Sequence, residues 1–330
     1  MKNGLIISPI PTGSGAYVLH KMIETGIENY CVHGYNPYLT LVPPLLPFVG
    51  RSVKPLAVHT TPDYGLFFAR KGVPLILTVH HLVLDQFMQK YSTLPQRIHY
   101  KTDLRWFTKA SINIATMVTA VSHFTAEMVR KELKYKCSIR IIYNGIDTSR
   151  FIPAKKTRHS GVKVLFSGNP TKRKGCQWLP AIAMKLSDGI TINYTQGLRA
   201  NHVRLKAMNV KSLGRIPPKD MPSIYQMSDI LLSPTVREGF GLAVAEAMAC
   251  GLPVVASNCS SIPELVDHGK GGFLCPVGDV NAFANKINIL ADSPRLRKEM
   301  GEYNRAKVEK MFTVERMVNE YKELFEEVLG

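Results

Sequence analysis

Several features that define common protein classes are scarce or missing in this chain. Its six cysteines are scattered through 330 residues with no Cys-x-x-Cys pair and no histidine at metal-ligand spacing, which argues against a disulfide framework or a zinc site. The longest apolar stretch, residues 38–49, contains three prolines and is too short to span a bilayer. The first residues lead directly into a strand pattern without a signal-peptide core. We therefore expect a reduced, cytoplasmic protein without a membrane-spanning helix.

Acidic residues are fewer than basic ones in this chain. The chain has 25 Asp and Glu against 42 Lys and Arg, a formal net charge of +17. A positive field of this size favours anionic partners such as nucleotides, phospholipids or nucleic acids, but it does not choose among them. With 45% apolar residues, the chain is long enough for two domains of about 150 residues, each with its own core. The polar stretch Thr148 to Gly161 is the expected boundary between them.

The stretch from Asp229 to Glu264 carries the most informative pattern. It predicts a buried strand over 230–232, a glycine-bearing loop, a helix over 242–250 and a second parallel strand from Pro253. Ligands of parallel sheets lie beyond the carboxyl ends of the strands, where a helix N-terminus directs N–H groups outward. We therefore predict that a diphosphate binds to the backbone of Gly239, Phe240, Gly241 and Leu242.

Two glutamates flank this predicted anion site. Glu238 lies in the loop before the helix, and Glu246 lies about five residues into it, roughly 7 Å along its axis. Because carboxylates repel an anion, their expected partners are neutral hydroxyl groups of the same ligand. A nucleotide sugar supplies both kinds of hydroxyl, a ribose on one side of its diphosphate and a hexose on the other.

The string Glu-Gly-Phe-Gly-Leu-x-x-x-Glu-Ala-Met-Ala-x-Gly-x-Pro-Val-Val over 238–255 resembles the E-x7-E signature of the retaining family-four glycosyltransferases. Ser-Ser-Ile-Pro-Glu at 260–264 extends it in a form common among the family's sugar transferases for surface polysaccharides. The resemblance implies an α/β chain of the GT-B fold, in which two Rossmann-like doubly wound domains face a central cleft. It assigns 1–155 to the acceptor, 156–312 to the nucleotide sugar, and 313–330 to a helix that crosses back to the N-terminal domain.

A turn between a predicted strand and helix, residues 168–175, carries three successive cations, Lys172, Arg173 and Lys174. Charge-assisted hydrogen bonds from such cations to a diphosphate contribute about 1.5–3 kcal/mol each. In the resembled family this turn usually has Gly-Arg-x-x-x-x-Lys-Gly, and Lys174 matches its lysine. Asn169 stands where the arginine is expected, so Arg173 or Lys172 is the expected substitute.

The N-terminal half offers further candidates at turns and strand ends. Gly13 and Gly15 open the first helix and are expected to let backbone N–H groups approach a phosphate or substrate, although a tight turn alone would explain them. His80 ends a strand and matches the family's Thr-x-His, whose histidine contacts the donor sugar; His81 is an adjacent alternative. For His59, which ends another strand, a structural role is as plausible as a functional one.

Residues 97–111 have the periodicity of one amphipathic helix. Arg97, Lys101, Arg105 and Lys109 recur every fourth residue along it, which costs a few tenths of a kcal/mol per like-charge pair. An anionic membrane surface would relieve this repulsion, whereas a solvated basic face is the plain alternative. Specific nucleic-acid binding is not indicated by any motif.

The resemblance implies a retaining hexosyltransferase that takes a nucleotide sugar as donor and a glycan or lipid-linked glycan as acceptor. It is expected in the cytoplasm, with a peripheral position on the inner face of the cell membrane as an alternative. No cofactor is expected, and no metal either, because the chain has no Asp-x-Asp to clamp one. His80, Glu238 and Lys174 are the expected catalytic groups. The alternatives are a GT-B epimerase, a phosphorylase with a pyridoxal lysine, and a non-enzymatic basic adaptor for membrane or nucleic acid.

Overall fold

A computed structural model describes residues 4–51, 54–154, 160–197 and 203–330 of the chain. The chain divides into two compact units. Unit 1 comprises residues 1–145 and 314–330, and unit 2 comprises residues 146–313. The predicted boundary at 155/156 falls among residues outside the described ranges, so it stays a prediction. None of the helices in the described ranges is both long and apolar enough to cross a membrane.

Unit 1 contains a sheet of six parallel strands in the order β2-β1-β3-β4-β5-β6. The strands are β1 Ile6–Pro11, β2 Tyr30–Tyr35, β3 Ala57–Thr60, β4 Leu75–Val79, β5 Met117–Ala120 and β6 Arg140–Ile141. All five residues of β4 are buried, as expected for a strand covered on both faces. Strand β2 lies on one side of β1, and β3 and the later strands lie on the other side, so the order in which strands are added reverses between β1 and β3. Such a reversal opens a crevice at the carboxyl ends of parallel strands.

Helices cover this sheet and complete the core of unit 1. They are α1 Gly15–Gly26, α2 Leu94–Lys101, α3 Asp103–Ile114, α4 His123–Leu133 and the C-terminal helix Val314–Leu329. Short 3-10 helices occupy Pro37–Leu41, Pro43–Phe48, Gly65–Phe68 and Gln86–Tyr91. The C-terminal helix contacts α1 and buries its apolar face, including Tyr321 and Phe325, in this unit.

The prediction of one helix over 97–111 is wrong, because the helix is interrupted at Thr102. Thr102 has φ −97° and ψ −103°, and its hydroxyl donates to the carbonyl of Ile98 and to Asp103. Such local side-chain bonds compete with the helical ladder. The acidic Asp103 then starts α3, where a negative charge suits the helix dipole. The four cations are therefore divided between two helices.

Unit 2 repeats the architecture with six parallel strands in the order β12-β11-β10-β7-β8-β9. The strands are β7 Val162–Phe166, β8 Ile190–Gln196, β9 Val210–Arg215, β10 Ile230–Ser233, β11 Val254–Ser257 and β12 Gly272–Cys275. The predicted strand over 194–198 begins four residues earlier than expected, and Leu198 lies outside the described residues. The strand order reverses between β7 and β10, so the loops after these two strands meet at a switch point.

The helices of unit 2 include three that the sequence interpretation missed. The helices of this unit are α5 Leu179–Ala183, α6 Met221–Gln226, α7 Leu242–Ala249, α8 Ile262–Leu265, α9 Val280–Asp292 and α10 Pro294–Met311, with 3-10 turns at Lys172–Lys174, Cys176–Trp178 and Pro218–Asp220. Those missed are the short helices α5 and α8 and the long helix α10, which begins with a Ser293 side-chain cap and Pro294 in its first turn. Gly251, which follows α7, has φ +72°, in the left-handed region that favours glycine.

Candidate functional site

The candidate site of unit 2 is formed where the loops after β7 and β10 meet. The amide of Val236 donates to the carbonyl of Arg173 over 2.9 Å, and the hydroxyl of Thr235 lies 3.2 Å from the same oxygen. Gly175 has φ +80°, and a Cβ there would lie 1.9 Å from the carbonyl oxygen of Pro234, so no other residue fits. The two loops are thus held together by backbone contacts before any ligand is considered.

Lys174 and Glu238, two of the predicted site residues, form an ion pair across these loops. Lys174 Nζ lies 2.5 Å from Glu238 Oε1, and the hydroxyl of Thr235 donates to the same oxygen over 3.0 Å. Glu238 is buried, with 8% of its surface exposed. Burial alone would raise the pKa of its carboxyl group, but the charges of Lys174 and Arg173 outweigh this and lower it. Glu238 is therefore an anion in this structure.

The backbone of the Glu238 loop is fixed by two serines that follow β11. The amide of Glu238 donates to Ser260 Oγ over 2.9 Å, and Ser261 Oγ donates to the carbonyl of Phe240 over 2.9 Å. Ser260 is one of two non-glycine residues with a positive φ within the described ranges, at +51°. A strained backbone at a well-bonded position is common where a loop must hold a particular geometry.

Among the three cations of the β7 loop, Arg173 accompanies Lys174 at the site. Arg173 Nη1 lies 4.0 Å from Glu238 Oε2 and donates to the carbonyl of Arg237 over 2.9 Å. Lys172 and Asn169 are exposed. Of the two expected substitutes for the family arginine, the geometry therefore favours Arg173.

The predicted diphosphate cradle is the N-terminus of α7. Gly241 caps this helix with φ +104°, a conformation that L side chains rarely adopt, and a Cβ there would crowd Ile262 and Leu265. Phe240 is buried, and its ring packs 5.7 Å from that of Phe312, so its backbone alone is available to a ligand. The amide of Val244 donates to the carbonyl of Gly241 over 2.9 Å. The amides of Leu242 and Ala243, the first two of α7, have no acceptor within the helix, which is the usual basis of anion binding there.

Glu246, five residues into α7, is held by a buried tyrosine. Tyr225 Oη donates to Glu246 Oε2 over 2.8 Å and lies 2.9 Å from Ser167 Oγ. Burial raises the pKa of the Glu246 carboxyl group to about 7, although Tyr225, Arg150 and Lys174 each lower it.

In unit 1 the structure brings together three histidines, two of which had been considered. His59 is fully buried and bonds to Tyr30 Oη and Thr78 Oγ1, each at 2.7 Å, which favours a structural role. His80 is half-buried, and its Nε2 lies 3.2 Å from Nε2 of His20. Burial lowers the pKa of His59 to about 3 and that of His80 to about 4. His20 was missed because it lies within the amphipathic pattern of α1.

The turn between β1 and α1 has the expected conformation. Gly13 has φ +70°, and Ser14 caps α1 by accepting from the amide of Tyr17 over 3.0 Å. A Cβ on Gly15 would have no atom within 4 Å, so the space beside it is open. Whether a ligand uses this turn stays a prediction.

Sequence reasoning also missed Asp63, in the loop after β3. Burial raises the pKa of its carboxyl group to about 6, and a strand-terminal acid at the switch point of a sheet is a position to test. A cavity of about 420 Å³ in unit 1 lies instead at the amino-terminal ends of the strands and contains none of the predicted site residues. Within the described ranges, no three His, Cys, Asp or Glu residues are grouped to hold a metal ion.

Comparisons with known proteins agree on one family. The model for Glycosyltransferase Family 4 matches residues 8–150, and that for Glycosyl transferases group 1 matches residues 199–307. The chain is 26% identical to N-acetyl-alpha-D-glucosaminyl L-malate synthase of Bacillus anthracis, across 100% of this chain and 97% of that protein. It is 31% identical to D-inositol 3-phosphate glycosyltransferase of Corynebacterium jeikeium, across 51% and 46%.

Solved structures give the same fold. Sucrose-phosphate synthase from Thermosynechococcus elongatus superposes with a TM-score of 0.81 at 18% identity, covering 98% of this chain and 99% of that one. Anabaena HepE, solved in complex with UDP and glucose, gives 0.80 at 18% identity with the same coverage. Both are GT-B glycosyltransferases, so the predicted GT-B fold is confirmed.

Proposed function

Because the chain belongs to the family-four glycosyltransferases of the GT-B fold, we propose that it transfers a hexose from a nucleoside-diphosphate sugar to a hydroxyl acceptor with retention of configuration. The observation that carries this proposal is the ion pair between Lys174 and Glu238, which lies in the loop that leads into α7, the helix that carries Glu246. The cation and the helix terminus suit the diphosphate of a nucleotide sugar. The two carboxyl groups suit the hydroxyl groups on either side of that diphosphate.

The proposed diphosphate position follows from the charges. The amides at the start of α7 and the side chains of Lys174 and Arg173 are the positive groups of this site. Charge develops on the leaving phosphate as the glycosidic bond breaks, and fixed donors aimed at that charge stabilise the transition state. These groups supply that stabilisation without a metal ion in our proposal.

The two carboxyl groups have different proposed roles. Glu238 is an anion with one oxygen bound by Lys174 and Thr235, and we assign it to a hexose hydroxyl. Glu246 is assigned to the ribose, since it lies on α7 beyond the diphosphate cradle. Lys174 then exchanges one carboxylate contact for the diphosphate when the donor binds. His80 remains assigned, by the family resemblance, to the donor sugar near the anomeric carbon.

The proposed acceptor is a glycan or a lipid-linked glycan. Two basic pairs on α2 and α3, Arg97 with Lys101 and Arg105 with Lys109, support contact with an anionic membrane surface. Relatives named for L-malate and inositol 3-phosphate suggest a second class, small anionic hydroxyl compounds, which the net charge of +17 also suits. The acceptor screen should therefore contain both classes.

The test is a thermal-shift panel of UDP, GDP, ADP and their sugars, followed by product analysis. UDP sugars come first because HepE was solved with UDP and glucose. We expect one nucleotide to raise the melting temperature in the wild type and not in Lys174→Ala. With its sugar and an acceptor, NMR of the early product should show the anomeric configuration of the donor. An inverted product would contradict retention, and a panel without any shift would contradict the nucleotide-sugar site.

The alternatives give different results in the same assays. An epimerase releases free nucleotide without an acceptor, and a phosphorylase depends on added phosphate. A non-enzymatic adaptor shows no nucleotide-induced shift and binds nucleic acid with a steep salt dependence.

A further inference from the structure

A continuous hydrogen-bonded chain runs through the interior of unit 1 and ends at His80. Thr78 Oγ1 lies 2.7 Å from His59 Nε2, and His59 Nδ1 lies 2.7 Å from Tyr30 Oη. Tyr30 Oη in turn lies 2.8 Å from His20 Nδ1, and His20 Nε2 lies 3.2 Å from His80 Nε2. The members come from α1, β2, β3 and β4, and the rings of His20 and His59 stack 4.4 Å apart.

The direction of the proton donors in this chain follows from the surroundings of His20. Its Nδ1 faces two buried hydroxyl groups, Ser8 Oγ at 2.7 Å and Tyr30 Oη at 2.8 Å. Each hydroxyl carries a proton that needs an acceptor in the interior, and an unprotonated Nδ1 offers its single lone pair to one of them. A neutral imidazole with an unprotonated Nδ1 carries its proton on Nε2. His20 is therefore the donor towards His80.

The same direction satisfies the remainder of the chain. If Tyr30 donates to His20, its oxygen accepts from Nδ1–H of His59, and Nε2 of His59 accepts from the hydroxyl of Thr78. The bond between the two Nε2 atoms holds one proton, which belongs to His20, so the proton of His80 lies on Nδ1. That Nδ1 is buried and has no hydrogen-bond partner among the described residues.

We propose that His20 is a positioning residue that holds His80 as the neutral tautomer with its proton on Nδ1, so that the ring keeps a hydrogen-bond donor that no described residue accepts from. The identity of the ligand that would accept from this N–H, the donor sugar or its leaving oxygen, rests on the proposed function. The assignment of the tautomer is independent of the proposed function. Burial keeps the pKa of each of the three imidazoles well below its usual range, so all three rings are neutral at pH 7.

The tautomer is measured directly by long-range ¹H–¹⁵N correlation of histidine-labelled protein at pH 7, because protonated and unprotonated ring nitrogens have separate ¹⁵N shifts. The His80→Gln variant identifies the signals of His80. We expect the wild type to carry the His80 proton on Nδ1, and His20→Phe to give a mixture of both tautomers. His268→Gln, an exposed histidine of unit 2, is the matched control and should leave the His80 signals unchanged. A His80 proton on Nε2 in the wild type, or an unaltered tautomer in His20→Phe, would overturn the proposal.

A kinetic comparison separates positioning from a purely structural role. Loss of an orienting hydrogen-bond partner typically costs about 10–100-fold in activity, so His20→Phe should lower kcat by that factor with donor KM within about twofold. His20→Gln retains an amide N–H near the position of Nε2, and we expect it to recover kcat to within about fivefold of the wild type. Equal kcat losses in both variants, paralleling their melting temperatures, would show that His20 only supports the fold.

A third variant covers the case in which His20→Phe does not fold. Tyr30→Phe combined with Ser8→Ala keeps the ring that packs 5.7 Å from Phe325 and removes both hydroxyl groups that face Nδ1 of His20, so it should also give mixed His80 tautomers. The experiments distinguish a failure of the proposed function from a failure of the positioning role of His20. If no nucleotide sugar is turned over but the tautomer behaves as stated, the proposed function fails and the positioning role stands. If turnover occurs but the tautomer does not respond to either variant, the positioning role fails alone.

Discussion

Tyr225 Oη donates to Glu246 Oε2 over 2.8 Å from a position that is itself fully buried. The tyrosine stands at the end of α6 and the glutamate on α7, so the bond fixes the carboxyl group of a short helix from a neighbouring one. Ser167, directly after β7, completes the contact at 2.9 Å. The glutamate of the family signature is thus oriented by residues from two other elements.

Replacing this tyrosine should alter nucleotide binding in a pH-dependent way. The hydrogen bond from Tyr225 lowers the Glu246 pKa, so Tyr225→Phe raises it further above the present value of about 7. At pH 7 more of the carboxyl group is then protonated, and we expect about fivefold weaker binding of the nucleoside diphosphate, about 1 kcal/mol. The loss should shrink above pH 8.5. Isothermal titration at pH 6.5–9 measures it.

The matched control is Tyr303→Phe, which removes another tyrosine–carboxylate bond of unit 2, that between Tyr303 and Asp267. It should leave nucleotide affinity unchanged. If Tyr225→Phe and the wild type bind the nucleotide with equal affinity at every pH, Tyr225 has no role in nucleotide binding.

Lys174 and Lys172 provide a comparison of two lysines in one turn. Lys174 is paired with Glu238, whereas Lys172 is exposed. We expect Lys174→Ala to lower kcat/KM by at least about 100-fold, the usual cost of removing one group that stabilises developing charge. It also leaves a buried carboxylate with Arg173 as its nearest cation, and this should cost about 1–3 kcal/mol in the free energy of unfolding.

Initial rates and urea unfolding of both variants test this prediction. Lys172→Ala should stay within about twofold of the wild type in rate and about 0.5 kcal/mol in stability. A similar loss of rate in both variants would indicate that the total positive charge of the turn matters, and not a specific contact of Lys174.

Acid should destabilise unit 1 through its histidines. Burial lowers the pKa of His80 to about 4 and that of His59 to about 3, so between pH 6.5 and 4 the unfolded chain binds protons that the folded chain does not. The free energy of unfolding therefore falls as the pH falls through this window, by about 1.4 kcal/mol for each unit of pKa lowering. Urea unfolding at pH 7.5, 6 and 5 measures this slope.

The His80→Gln variant isolates one contribution to that slope. Because glutamine does not titrate, the decrease in stability between pH 6.5 and 5 should be smaller in the variant than in the wild type. Parallel curves would show that His80 titrates in the folded chain much as it does in the unfolded one.

Membrane contact can be tested through Trp106, which is 63% exposed on α3. With Trp178→Phe as background, Trp106 is the single tryptophan of the chain, and its emission should shift to the blue on anionic vesicles. Lys101→Glu with Lys109→Glu should weaken vesicle binding by at least about tenfold at low salt, since each basic residue contributes about 1 kcal/mol. Arg105 is left intact, because its guanidinium donates to the carbonyl of Glu132.

The control changes the net charge equally elsewhere. Arg295→Glu with Lys298→Glu, both exposed on α10 of unit 2, also alters the charge by four units. If both double variants weaken binding to the same extent, the effect comes from net charge alone and the contact face is not on α2 and α3.

The sequence interpretation succeeded where local pattern and local chemistry coincide. The strand, loop, helix and strand from Ile230 to Ser257 were predicted because β-forming and helix-forming residues alternate with glycine at the turns. It failed at Thr102, where two hydrogen bonds of the threonine side chain interrupt a helix whose periodicity is continuous. It also missed β2, whose six residues mix polar and apolar types and have neither the apolar run nor the alternation of a typical strand.

The sequence by itself determined the α/β architecture, the family, and the residue types of the donor site, because these follow from periodicity, glycine positions and one specific string. The tertiary structure alone decided which side chains meet. The pairing of Lys174 with Glu238 joins residues 64 positions apart, the bond between His20 and His80 joins residues 60 apart, and Tyr225 lies 21 residues from Glu246. Such contacts depend on strand order and on burial, which set the distances and the pKa values and which no local pattern encodes.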